Sequence, residues 1–353
     1  MILQKVILHN FRNLKAVAYN FHPSLTVIIG ANALGKTNLL ESIYFSISGS
    51  GFRESKEEEL VNWEELVMTT DTRWIDRNIQ HVFLLQLAKK EGTMEKKYFV
   101  DKVQKTSQGY REFQTGAVLF APEHVDIITG SPEKRRDFLN RLISLVDPVY
   151  KRNLYNYEHA LRRRNKVLEH HSDQTKLREE LIFWNNYLVE QGAYITRKRV
   201  EVIAYLNAHT VFQDRQFQAK YTPNEITHER LEQAFQEEVR WRRTVVGPQK
   251  DDFSVFLTEN SERENVQMYG SRSEQRLAVF WLKLNELLFC EEVLKQKPLL
   301  LLDDVFSELD TRNKRVVLEL ITHYQTIITT TESELLELTG MEKETIQFER
   351  VND

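Results

Sequence analysis

The sequence predicts an α/β domain built on a parallel sheet and interrupted by a mainly helical second lobe, on the strength of three observations. The run Leu25-Thr26-Val27-Ile28-Ile29 suits a strand buried on both faces, and Gly30 ends it. A second such run, Leu299-Leu300-Leu301-Leu302, lies near the other end of the chain. Between about 131 and 243 glycine and proline are sparse, charges are dense, and spacings such as Leu177, Leu181, Trp184, Leu188 are helical.

The elements follow in order. The opening residues alternate apolar and polar before the first buried run. Leu39, Leu40, Ile43, Tyr44 and Ile47 then mark a helix over 36–48. The acidic stretch 52–66 predicts surface loop or helix, and 81–88, 96–101 and 117–121 read as strands. Beyond the helical lobe come a strand at Phe253–Leu257, a long helix over about 274–296, a helix at 311–323 and a strand at Thr326–Thr329. The expected division is a first lobe at 1–130, an inserted lobe at 131–243, and a completing segment at 244–353.

Composition narrows the function. With 41% hydrophobic and 28% charged residues the chain is globular, which excludes long disorder. A net charge of −4 excludes a globally basic nucleic-acid binder but leaves room for local basic patches. Cys290 is the sole cysteine, so no intramolecular disulfide forms and a reducing cytoplasm is expected. No apolar run approaches the ~18 residues of a membrane span, and the start does not resemble a signal peptide. No membrane partner is expected.

Gly30-Ala31-Asn32-Ala33-Leu34-Gly35-Lys36-Thr37 has the spacing of a phosphate-binding loop, G-x-x-x-x-G-K-[ST], with a strand before it and a helix after it. Glycines let the backbone wrap a phosphate, and successive N–H groups and the helix N-terminus supply positive potential. Lys36 adds a point charge for the β- and γ-phosphates of ATP, and the Thr37 hydroxyl is a ligand for Mg²⁺. The competing reading, a glycine turn capping a structural helix, does not require Lys36 and Thr37 at their places.

Pro298 and four leucines end in Asp303-Asp304. An aspartate at the carboxyl end of a parallel strand faces the ligand crevice, so Asp303 is expected in the Mg²⁺ shell. Asp304 is expected to orient and deprotonate the attacking water, giving it and Lys36 the catalytic roles. Ser307-Glu308-Leu309-Asp310 follows at the D-loop spacing of ABC ATPases, and Ser271-Arg272-Ser273-Glu274-Gln275-Arg276 is similar to their signature motif. Taken alone, that hexapeptide reads as a helix N-cap. In the ABC order, Ser271 serves the nucleotide of a second copy, in trans. The expected fold is therefore the two-lobed head of an ABC-type P-loop NTPase.

Within that superfamily the details resemble the RecF family. Leu8-His9-Asn10-Phe11-Arg12-Asn13-Leu14, Gly35-Lys36-Thr37-Asn38-Leu39-Leu40-Glu41-Ser42-Ile43, Phe120-Ala121-Pro122-Glu123-His124, Gly130-Ser131-Pro132-Glu133-Lys134-Arg135-Arg136 and Gly247-Pro248 look like its blocks and keep its order. The chain departs at Ala33, where the family usually has Gly, at Asn140 for Asp, at Gln249-Lys250 for His-Arg, and at Ser273-Glu274 for Gly-Gln.

The resemblance implies a slow ATPase of recombinational repair whose ATP-dependent homodimer closes on double-stranded or gapped DNA and acts with RecR and RecO to load RecA. It implies nucleotide contacts from the P-loop through Asn38 and from Arg12, with Glu123 near the γ-phosphate. The reading from another class is an ABC-type scaffold gated by nucleotide, with negligible hydrolysis and protein partners only. For DNA the sequence offers basic clusters at 134–136, 162–164, 197–199 and 240–243, each equally readable as a solvated helix face.

Overall fold

The computed structural model describes residues 1–53, 56–90, 92–112, 115–170, 174–259, 262–306, 311–331 and 342–348. The chain divides into two compact units, one of residues 1–122 with 290–353 and the other of 123–289.

The first unit opens with β1 (Ile2–Phe11), β2 (Leu14–Asn20) and β3 (Leu25–Gly30), then α1 (Lys36–Ser48). Next come β4 (Val67–Asp76), β5 (Ile79–Lys90), β6 (Thr93–Val100), β7 (Val103–Lys105), the short α2 (Ser107–Arg111) and β8 (Ala117–Phe120). The second unit holds α3 (Asp126–Thr129), α4 (Pro132–Val146), α5 (Pro148–His170), α6 (Gln174–Ala208), β9 (Val211–Phe212), β10 (Arg215–Thr222) and α7 (His228–Trp241). It continues through β11 (Asp252–Glu259), β12 (Glu262–Asn265) and α8 (Val266–Tyr269) into α9 (Arg272–Leu294). The chain re-enters the first unit at Cys290, within α9, and completes it with β13 (Leu299–Asp303), α10 (Thr311–His323), β14 (Thr326–Thr330) and β15 (Lys343–Phe348).

Two sheets make the first unit among the described residues: an antiparallel one ordered β2-β1-β4-β5-β6-β7 and a parallel one ordered β15-β3-β14-β13-β8. The parallel sheet is knit from both ends of the sequence, with Leu301 paired to Leu119 and to Ile327. A helix apolar on several sides needs cover on several sides, and α1 has it. Leu39, Leu40 and Ile43 are fully buried in one core with Leu3, Val6 and Leu8 of β1 and Leu299 and Leu301 of β13.

The second unit is not wholly helical. An antiparallel sheet, β12-β11-β10-β9, joins the helices. The expected boundaries at 130/131 and 243/244 therefore differ from the observed ones, for two reasons. β11 pairs with β10 from Asp252↔Thr222 to Thr258↔Gln216, which ties it to the insert rather than to the completing segment. Trp281 of α9 stacks on Phe217 of β10 at 5.6 Å and donates Nε1–H to the His209 carbonyl at 2.7 Å, which holds the signature helix to the same unit. Strand β4 was also absent from the expected elements. Its buried positions Met68, Thr70, Thr72 and Trp74 alternate correctly, but two of the four are threonines and hide the apolar period.

Candidate functional site

The phosphate-binding loop leaves the carboxyl end of β3 and enters α1. Gly35 is the residue before the helix, at φ +107°, where a side chain would be strained and its Cβ would stand 2.9 Å from the Asn13 amide. At Gly30 a Cβ would meet the Phe348 carbonyl oxygen at 2.6 Å. Both essential glycines thus have local causes. Ala33 takes φ +66°, the left-handed region, which costs a non-glycine residue roughly 1–2 kcal/mol. The departure from glycine there is tolerated with strain.

Lys36 is buried, and its Nζ donates to the carbonyls of Gly30 at 2.8 Å and Ala31 at 2.9 Å. Burial lowers its pKa from the usual lysine value, against the opposing pull of Asp304 and Asp303. The ammonium is thereby held in the mouth of the loop. Lys36→Ala removes a cation and its hydrogen bonds from the phosphate site, each charged bond worth about 1.5–3 kcal/mol. The expected outcome is a loss of ATP affinity of about 100-fold or more by equilibrium titration with a fluorescent nucleotide. Parent-like affinity would remove Lys36 from the site.

Asp303, at the end of β13, is buried, and its Oδ1 accepts from the Thr37 hydroxyl at 2.9 Å and from the Thr329 hydroxyl at 2.6 Å. The fold has brought Thr37 and Asp303 together across the intervening strand β14. Among the described residues no group of three or more His, Cys, Asp or Glu could hold a metal. One hydroxyl and one carboxylate are hard oxygen donors that fit Mg²⁺ when phosphate oxygens and water complete its shell. Asp304 takes φ +49°, and its backbone N–H donates to the Thr329 carbonyl at 3.1 Å and hydroxyl at 3.0 Å. Thr329 therefore fixes both aspartates. Sequence reasoning missed it. The signal was present as Thr329-Thr330 following Ile327-Ile328 at the carboxyl end of the strand Thr326–Thr330.

Arg12 was expected at the phosphates. Its Nε is committed to the buried Glu41 at 2.5 Å, and its Nη1 donates to the Glu59 carbonyl at 3.3 Å. Glu41 also accepts from Arg53 at 3.0 Å. Burial pushes the Glu41 carboxyl up, but the Arg12 hydrogen bond and the two guanidinium charges prevail and hold it below the usual range. Arg53 in turn donates to Asn38 at 2.5 Å, and Asn38 donates to Asn13 at 2.6 Å. Arg12, Asn13, Asn38, Arg53, Trp63 and Lys89 line a cleft of about 620 Å³, within the range of ligand pockets. Glu41 and Arg53 were not singled out from the sequence, although an acidic residue inside the apolar run Leu39–Ile43 was a visible anomaly.

Ser271 lies in the second unit as the N-cap of α9, and here the structure gives it a second occupation. Its N–H and hydroxyl donate to the Glu274 carboxylate at 2.7 and 2.8 Å, and the Glu274 N–H bonds back to the Ser271 hydroxyl at 3.3 Å. That reciprocal pair is a capping box. The hydrogen bonds from Ser271, backbone first, hold the Glu274 carboxyl below the usual range, and Arg215 adds to this at 3.1 Å. Glu123 is exposed at the start of the same unit, and Ser307–Asp310 lie outside the described residues.

The basic clusters divide. In each of three, one arginine is buried and structural: Arg135 is bidentate to Asp252 at 2.6 and 3.1 Å, Arg164 donates to Glu238 at 2.6 Å, and Arg199 donates to Asp251 at 2.7 Å. Asn140 and Gln249, two family departures, sit beside the last pair. Asn140 accepts from Tyr150 at 2.7 Å and Arg199 at 2.9 Å, and Gln249 accepts from Tyr157. Only the fourth cluster, 240–243, is exposed throughout.

The family model described as the RecF/RecN/SMC N-terminal domain matches residues 2–351. The DNA replication and repair protein RecF of Natranaerobius thermophilus is 32% identical over 95% of this chain and 92% of its own length. Its namesake in Bacillus mycoides is 33% identical over 98% and 95%. A solved structure of the recombination mediator protein RecF-ATPrS of the RecFOR pathway superposes with TM-score 0.85 at 28% identity, covering 98% of this chain and 96% of that one. The Smc head domain of Pyrococcus furiosus shares the fold at TM-score 0.52 and 16% identity. With its phosphate loop, paired aspartates and ABC-type head, the chain belongs to the RecF family.

Proposed function

We propose that this chain is an ATP-dependent DNA-binding protein of recombinational repair, a slow ATPase whose two copies close on ATP and on duplex or gapped DNA. In this reading it acts in the cytoplasm with RecO and RecR to help load RecA. The observation that carries it is the meeting of Thr37 and Asp303 at the mouth of the loop that holds Lys36, in a chain of this family. In this reading Gly30–Thr37 would receive the phosphates, Thr37 and Asp303 would hold Mg²⁺, which would offset phosphate charge, and the nucleoside end would enter the cleft lined by Arg12, Asn38 and Trp63. Arg12 contacts the phosphates from its place on Glu41, which keeps the buried carboxylate paired. Ser271 of a second copy completes the γ-phosphate site.

The net charge does not attract DNA, so binding rests on a few local phosphate contacts, and a dimer presents two patches to one duplex. The expected result is duplex affinity that rises with ATP, varies little with sequence, and falls with salt by about 0.9 in log–log slope per phosphate neutralised. Anisotropy titration at low salt with ATP and Mg²⁺ measures this. No duplex binding at micromolar protein would overturn the DNA reading. The engagement of Ser271 by Glu274 favours the rival reading, a nucleotide-gated scaffold with little turnover. Single-turnover hydrolysis separates the two.

A further inference from the structure

Trp241 ends α7 with 54% of its surface exposed, and Arg240, Arg242 and Arg243 around it all face solvent. The guanidinium carbons of Arg240 and Arg243 lie 5.7 and 5.8 Å from the ring centroid. That is within reach of cation–π attraction but beyond flat contact. By contrast, Arg178 lies 3.9 Å from the buried Phe235 ring. The indole is flanked by charge and still open. Among the described residues, Arg240, Arg242 and Arg243 form no ion pair, so their charge is available to a ligand.

The backbone that carries these side chains is tied down by hydrogen bonds on both flanks. Arg242 adopts φ +52° as the C-cap of α7, with its N–H on the Glu238 carbonyl. Buried Glu238 accepts from Arg164 at 2.6 Å and from the Val245 N–H at 3.0 Å. Arg164 also donates to the Thr244 hydroxyl at 2.8 Å, and the Asn165 side chain accepts from the Thr244 N–H at 2.8 Å. These bonds clamp both ends of 240–243 to α5, so little ordering cost falls on the ligand. The same turn of α5 contributes the exposed Arg163 and Lys166.

An exposed indole on a tied-down turn, among guanidinium groups that form no ion pair among the described residues, has the chemistry of a base-stacking site. Unpaired bases offer a π-face, stacking is indifferent to sequence, and neighbouring cations take the adjoining phosphates. Bases inside a blunt duplex are already stacked and cannot reach the ring. We infer that Trp241 with Arg240, Arg242 and Arg243 binds an unpaired base of single-stranded DNA. This rests on the DNA-binding reading above and gives the unpaired strand of the gapped DNA in that reading a place on the second unit, at the end of α7.

The test is anisotropy titration with three labelled probes: a blunt hairpin duplex closed by a non-nucleotide linker, so that it has no unpaired base, the same hairpin with a thymine tail, and oligo(dT). Trp241→Ala should weaken the tailed and single-stranded probes by roughly 5- to 100-fold while leaving the blunt hairpin within about twofold. Trp241→Phe, which keeps a π-face, should recover most of the loss. Equal affinity of Trp241→Ala and parent for the tailed probe overturns the stacking site. So does an equal loss on blunt and tailed probes, which would mark a structural or phosphate role. If the parent binds no probe, both this inference and the DNA reading fall. Normal blunt-hairpin binding with no Trp241 effect removes the stacking site alone.

Discussion

Asp304→Asn is expected to leave ATP affinity within about threefold of the parent and to lower turnover by about 100- to 10,000-fold, the range associated with losing a positioned base. The substitution is unusually clean at this position. Asp304 sits at φ +49°, a region that asparagine enters more readily than most residues, so the backbone is not asked to move. Its position is set by backbone donation to Thr329, which the change leaves intact. What is removed is one negative charge and the ability to take a proton. Lys36 loses one of the two carboxylates that oppose the effect of burial, so its pKa moves further down, with Asp303 still opposing it. The nucleotide-bound dimer should accumulate because its exit step is blocked. Phosphate release and sedimentation in ATP measure both halves. Hydrolysis by Asp304→Asn at the parent rate would remove Asp304 as the base, and undetectable turnover in the parent itself would favour the scaffold reading.

The site was legible in the sequence where its chemistry is carried by contiguous residues. A phosphate loop is a local object, so Gly30–Thr37 could be read without knowing what surrounds it, and Asp303-Asp304 announce themselves by following four leucines. Thr329 could not be read in the same way. Its role exists only because β14 lies between β3 and β13 in a register that pairs Asp303 with Thr329. Parallel pairing between distant segments leaves no local trace beyond strand character. The insert's sheet was hidden for a related reason: Phe217 and Ala219 of β10 are buried between polar neighbours in a segment short enough to pass as a break between helices.

The basic clusters carry a second signal in their helical phase. Ala160, Arg164 and Leu168 are spaced four apart, which places Arg164 on the buried stripe of α5. Ile195 and Arg199 stand in the same relation on α6, and Arg135 lies three and four residues before Phe138 and Leu139 on α4. An arginine in phase with the apolar face marks an internal ion pair rather than a nucleic-acid contact. Arg240–Arg243 fail that test because they cross the end of α7 instead of following its buried face. The distinction between a core cation and a surface cation was therefore written in helical phase, not in local charge density.

Closure of two copies on ATP should depend on releasing Ser271 from Glu274. As it stands, the Ser271 hydroxyl points its proton at a carboxylate 2.8 Å away, and a carboxylate at a helix N-terminus occupies the place where a γ-phosphate would be drawn. The carboxyl is held below the usual glutamate range by the Ser271 donors, so it is charged at neutral pH and the cap weakens only as pH falls below that range. Glu274→Gln keeps an acceptor for both Ser271 donors and removes the charge. A unit charge near a surface within roughly 8 Å of phosphate costs about 1–2 kcal/mol. The ATP-dependent dimer should therefore tighten fivefold or more, with monomeric ATP affinity unchanged. Ser271→Arg should do the reverse. It removes the cap at a cost of about 1 kcal/mol and fills the partner's γ-phosphate space, so sedimentation in ATP should show monomers that still bind nucleotide. Parent-like dimerisation of Ser271→Arg, or loss of ATP binding by its monomer, would contradict a site completed in trans. A Glu274→Gln dimer no tighter than the parent would show that the carboxylate swings clear of the phosphate before the copies meet.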